Sequence, residues 1–145
     1  MIKRQFLQPR DMWARVENGE LLYVPVVTVD GGDHAHVYLS GQMARRPTGE
    51  IVTKGDMRTQ IRTTSENIGK GLAYAEATFD DVVRATTYVT DIDAYYRASD
   101  ERFKFFRTNR PASVLIEVSR LGHPDAMVEI EVEAIVEPSR LKTGA

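Results

Sequence analysis

Residues 128–136, VEIEVEAIV, alternate branched aliphatic residues with Glu129, Glu131 and Glu133. Strict alternation over this length predicts a β-strand, because successive side chains then point to opposite faces. One face is apolar and must be covered. The other carries three carboxylates, which are either a solvated surface or part of a pocket. A chain with this strand needs a sheet, and something on each side of it.

Upstream the period changes. Met57, Ile61, Thr64, Ile68, Leu72 and Ala75 recur at helical spacing, with Asp56 placed to cap the first turn. Gly69 and Gly71 inside this helix each cost about 1 kcal/mol relative to alanine, so close packing is expected to offset them. A second helix is expected from Ala94 to Phe106, with Asp91 or Asp93 as its cap. Tyr95, Ala98, Arg102 and Phe106 would lie on one side of it, and Pro111 prevents its continuation.

Five further stretches read as wholly or partly extended. LLYVPVVTV (21–29) is rich in β-formers, with Pro25 marking an edge or a bulge. HVYLSG (36–41) follows the turn DGGDH, and RRPTGEIV (45–52) reads as a turn with a short extended piece. DVVRATTYVTD (81–91) and SVLIEV (113–118) are strands, and LGHPD (121–125) is a loop. Residues 1–20 are polar and expected to be irregular. The order ββ-α-β-α-ββ predicts an α+β fold with two helices on one face of a mixed sheet. The apolar content of 81–91 and 113–118 implies burial on both sheet faces. A second copy of the chain is the economical cover for the face the helices leave open, so a homo-oligomer is expected.

Composition removes several classes of chemistry. The 145 residues contain no cysteine, which excludes disulfides, thiolate metal sites and cysteine nucleophiles. The formal net charge of −2 offers no basic footprint for nucleic acid. The N-terminal MIKRQFLQPRDMW lacks the apolar run of a signal peptide, and no stretch has the length of a transmembrane helix. A cytoplasmic protein is expected, with neither membrane nor nucleic acid as a partner.

Five motifs in order, YLSGQ (38–42), TGEIV (48–52), DVVRATTYVTDID (81–93), RPAS…IEVSRL (110–121) and VEIEVEAI (128–135), resemble the Rid (YjgF-type) imine/enamine deaminase family. The likeness covers residues 36–136, within what reads as one Rid-like domain over 1–145. It implies a chorismate-mutase-like fold and a homotrimer whose sheets form a central barrel. It also implies ligand sites between subunits and hydrolysis of reactive imines and enamines, such as 2-aminoacrylate, without a metal or organic cofactor.

Position by position, the resemblance assigns Glu131 to the carboxylate that holds the attacking water, a role that suits a base accepting a proton. It assigns Ser40 and Gly41 to the cleft wall. Tyr23 is the nearest counterpart of a family tyrosine, two residues out of register. Active members carry an arginine two residues after the proline of the Pro-Ala step, where its fork grips the substrate carboxylate. Here that position is Ser113. The family's pocket cysteine becomes Leu115, and an asparagine of the second helix becomes Ser99. Arg110, Arg45 and Arg46 are the candidates to replace the clamp, although arginines in such loops are ordinarily solvated.

Other constellations are weaker. His34 and His36 share a face if extended but have no evident third metal ligand. His123 lies in a Gly-His-Pro loop. Tyr95, Tyr96, Phe103, Phe105 and Phe106 have no accompanying basic stripe and read as packing. The expectation is a cofactor-free trimeric hydrolase of a small imine or enamine other than standard 2-aminoacrylate. The alternative is a non-catalytic ligand-binding or regulatory trimer of the same fold.

Overall fold

The computed structural model describes residues 1–141. Its main sheet is assembled from β1 (Lys3–Leu7), β4 (Val26–Asp30), β5 (Ala35–Gln42), β6 (Val82–Val89), β7 (Ala112–Glu117) and β8 (Val128–Val136). The spatial order is β1-β4-β5-β8-β6-β7. Every neighbouring pair is antiparallel except β6–β7, which is parallel, so the sheet is mixed. It is open, with β1 and β7 at its edges, and no barrel closes within one chain.

The alternation in 128–136 does what sequence periodicity requires. Val128, Ile130, Val132, Ala134 and Val136 are buried, and the intervening residues are not. They meet α1 (Met57–Tyr74), whose inward face carries Met57, Ile61, Ile68 and Leu72. Asp56 caps α1 by accepting the Thr59 backbone N–H at 3.0 Å. Gly71 meets β5 so closely that a Cβ there would lie 2.8 Å from Leu39 Cδ2, so the missing side chain lets helix and sheet approach.

The N-terminal twenty residues are not irregular. β1 pairs with β4, placing Phe6 opposite Val27. Val16–Glu17 (β2) and Glu20–Leu21 (β3) form a separate hairpin around Asn18-Gly19, both at positive φ, 52° and 82°. Edge pairing uses backbone groups and needs no strong apolar pattern, which is why β1 reads as polar chain. The Asn-Gly step was the local signal for the hairpin.

The second helix is also shorter than expected. α2 covers Ile92–Ala98, and a 3-10 turn continues over Ser99–Lys104. Asp91, not Asp93, is the cap, accepting from Ala94 N at 2.9 Å. Ser99 Oγ donates back to the Tyr96 carbonyl, a local bond that competes with α-helical pairing. The tighter turn tucks Glu101 inward, where Arg58, Arg62 and Lys104 meet it.

Both helices lie on one sheet face. The other face carries exposed apolar side chains, with Tyr38 at 41%, Val114 at 43%, Ile116 at 39% and Ile135 at 37%. Among the described residues, no helix is long and apolar enough to cross a membrane.

Candidate functional site

The three glutamates of β8 share the face that the helices leave open. Across the ladder to β6, Glu129 stands opposite Tyr88, Glu131 opposite Thr86, and Glu133 opposite Arg84. Their environments nevertheless differ. Glu131 is exposed in the single chain, and its Oε1 accepts a 3.1 Å hydrogen bond from the Tyr88 hydroxyl. Glu133 lies 2.8 Å from His36 Nδ1, whose ring stacks on Tyr38. Glu129 is the desolvated member. Burial pushes its carboxyl above the ordinary value, the neighbouring Glu131 charge adds to the shift, and Arg45 partly opposes it. Glu129 and Glu133 are therefore not ordinary solvated strand glutamates, both being partly buried.

A cleft of about 340 Å3 opens beside Glu131, lined also by Val27, Tyr38, Ser40, Arg84 and Thr86. The Ser40 hydroxyl is held by donating 2.7 Å to the Val24 carbonyl. Between Leu39 and Gln42 the β5–β8 register shifts, and this irregularity carries Gly41 over Glu129. A Cβ on Gly41 would lie 3.0 Å from Glu129 Cδ, so the glycine makes room for that carboxylate. Tyr23 is not in this cleft. It lines a water-sized cavity of about 10 Å3 next door, with Trp13, Gly41 and Arg45.

Ser99, Ser113 and Leu115 fall elsewhere. They line a second cavity of about 420 Å3 between α2, the 3-10 turn and β7, walled by Tyr95, Tyr96 and Phe103. The register explains the separation. Glu131 faces Thr86 and Thr86 faces Val114, so Val114 shares the Glu131 face. Ser113 and Leu115, on either side of Val114, point to the helix-covered face. One chain brings Ser40 and Glu131 together, and Ser99, Ser113 and Leu115 together, but it does not bring the two groups to each other.

Of the three loop arginines, Arg45 stacks 3.7 Å above Trp13 and donates to the Gly49 carbonyl at 2.6 Å, and burial lowers its pKa. Arg46 is exposed. Arg110 lines the second cavity, but its Nη1 donates to the Phe106 and Asn109 carbonyls, each at 2.9 Å.

Sequence reasoning missed Arg84, Thr86 and Tyr88. They alternate within VVRATTYV, which was the available signal, but their place beside the glutamates depends on strand pairing. It also missed Arg102, whose helical spacing with Tyr95 and Phe106 reads as packing.

The family model described as Endoribonuclease L-PSP matches residues 20–136. A RutC family protein of Pyrococcus abyssi is 37% identical over 102 residues, covering 70% of this chain and 79% of that protein. Human 2-iminobutanoate/2-iminopropanoate deaminase is 28% identical over 102 residues, covering 70% and 74%. Among solved structures, YyfA of the conserved Rid protein family from Yersinia pestis superimposes with a TM-score of 0.79 at 29% identity. It covers 92% of this chain and 100% of that one.

Proposed function

Because the chain belongs to the Endoribonuclease L-PSP family, whose match spans residues 20–136, we propose that it hydrolyses a small reactive imine or enamine to a carbonyl compound and ammonia. The reaction runs at clefts between copies in a homotrimer and uses no metal or organic cofactor. Deaminase relatives support the reaction class. The observation that carries the reading is the Glu131 carboxylate, accessible in an open cleft and held by Tyr88.

The chemistry suits these groups. Glu131 accepts a proton from water as the oxygen adds to the carbon of the protonated imine, forming a neutral carbinolamine. Returning that proton to nitrogen turns the amine into a leaving group. The C–N bond then breaks as the hydroxyl gives its proton back to Glu131, so that the carbonyl forms and ammonia departs. Ser40, Arg84 and Thr86 surround the cleft and shape what enters it. Exposed Tyr38, Val114, Ile116 and Ile135 on the open face support assembly, since a partner sheet laid there buries them.

The test generates imino acids in situ with an amino-acid oxidase and follows loss of the imine, with chelator present and absent. Acceleration that disappears in Glu131→Ala supports the reading. No acceleration across a broad panel overturns it, as does full activity in that variant. Sedimentation equilibrium at three chain masses is expected.

Ser113, at the place where active deaminases hold an arginine, favours a second reading, a non-catalytic ligand-binding trimer. That reading predicts saturable calorimetric binding of 2-oxo acids with no imine turnover. A ribonuclease is disfavoured by a net charge of −2 and three carboxylates on the open sheet face, which repel a phosphate backbone.

A further inference from the structure

Arg102 places its Nη2 3.4 Å from the Ser113 hydroxyl, at the position where this chain lacks an arginine on β7. Building on the hydrolase reading above, we propose that Arg102 is the carboxylate clamp of this chain. Its substrates are then 2-imino acids with an apolar side chain.

The cation is available. Arg58, Arg62 and Lys104 all pair with Glu101, and Arg140 pairs with Asp81. No carboxylate among the described residues pairs with Arg102. Its guanidinium sits 4.9 Å over the Phe106 ring, a contact that restrains its plane while leaving N–H groups at the edge. The long bond to Ser113 occupies one of these. A planar fork so placed can take a carboxylate through two parallel hydrogen bonds. Arg110 shares the cavity, but it bonds its own loop carbonyls and packs 5.3 Å from the Phe103 ring.

The walls select the rest of the ligand. The cavity of about 420 Å3 is lined by Tyr95, Tyr96, Phe103 and Leu115 as well as the two arginines. Aromatic and aliphatic surface around two arginines, neither paired with a carboxylate among the described residues, fits an anion carrying an apolar group. The guanidinium also approaches from the 3-10 turn and not from β7. The apolar walls favour the imino acids of leucine, methionine and phenylalanine over that of alanine, whose methyl group fills little of the cavity.

The test compares three ligands on wild type, Arg102→Ala and Arg102→Lys. They are the phenylalanine-derived imino acid made in situ, a carboxylate-free aromatic imine, and 2-oxo-3-phenylpropanoate as a non-reacting probe. Selectivity for the imino acid over the carboxylate-free imine, measured by kcat/KM, is expected to fall on the order of 10- to 100-fold in Arg102→Ala. Partial recovery is expected in Arg102→Lys, which keeps the charge and loses the fork. Calorimetric affinity for the oxo acid is expected to fall in parallel. Selectivity within twofold of wild type in Arg102→Ala overturns the clamp while leaving the hydrolase reading intact. If wild type hydrolyses neither imine, the hydrolase reading fails, and the oxo-acid arm decides the clamp alone. Equal affinity in wild type and Arg102→Ala then overturns it. A thermal melt confirms that each variant is folded.

Discussion

Tyr88 reaches diagonally across the β6–β8 ladder, past its direct partner Glu129, to donate a 3.1 Å hydrogen bond to Glu131 Oε1. The bond restrains a carboxylate that is otherwise exposed, and orientation is what a water-activating base needs. It also raises the Tyr88 pKa, because the phenol's proton is held by the adjacent negative charge. Tyr88→Phe removes the bond and keeps the ring. A hydrogen bond to a charged group contributes about 1.5 to 3 kcal/mol, with exposure favouring the low end. Imine-hydrolysis kcat is expected to fall on the order of tenfold, with KM less affected. Steady-state kinetics on one imino acid measures the split. An unchanged kcat would reduce Tyr88 to packing.

Much of this site depends on pairing that no local pattern encodes. The alternation in 128–136 shows a strand with carboxylates on one face, and the helical period from Met57 to Ala75 shows the covering helix. Those signals are local, and the structure bears them out. That Thr86 and Tyr88 flank Glu131 follows from the β6–β8 register. That Ser113 and Glu131 occupy opposite faces follows from the parallel β6–β7 register, in which Thr86 faces Val114. Gly41 was legible as a site of close approach, but the register shift that points it at Glu129 was not. The 3-10 turn after Ala98 was hidden for a different reason. Ser99 and Glu101 are acceptable in a helix by propensity, and tertiary contacts of Glu101 decide the outcome.

Glu129 shares its strand face with Glu131, and its burial there makes its contribution to stability depend on pH. The folded state raises the Glu129 pKa, mainly through burial. A carboxyl shifted upward contributes stability that is complete below its ordinary value of 4.5, and it loses that contribution as pH rises through the folded value. Glu129→Gln removes the desolvated charge. Its stability relative to wild type is therefore expected to be greater at pH 7 than at pH 4. Urea denaturation at both pH values measures the difference, and a smaller relative stability at pH 7 would contradict the assignment.

Glu101 behaves in the reverse sense. It is 1% exposed and hydrogen-bonded by Arg62, Lys104 and Arg58, which hold its carboxyl at about 2. A downward shift contributes stability that is complete above the ordinary 4.5 and is lost as pH falls toward 2. Glu101→Gln leaves three cations that can turn to solvent, so the expected cost at pH 7 is about 1 to 3 kcal/mol. The gap between wild type and variant is expected to close between pH 4.5 and 2. Denaturant titrations across that interval test it.

Gly71 separates helix propensity from packing. Alanine at an exposed helix-interior glycine adds about 1 kcal/mol of stability. At Gly71 the new methyl would lie 2.8 Å from Leu39 Cδ2 and 3.2 Å from Met12 Cε, inside a buried contact between α1 and β5. Overpacking of this kind costs about 1 to 3 kcal/mol, more than propensity returns. Gly71→Ala is therefore expected to destabilise. Gly69 provides the internal comparison, since its nearest neighbour is the half-buried Phe79 ring at 3.3 Å. That ring has room to shift, so Gly69→Ala is expected to be neutral or stabilising. Urea midpoints of the two variants test the pair together. Equal effects would mean that the Leu39 contact does not set the spacing of helix and sheet.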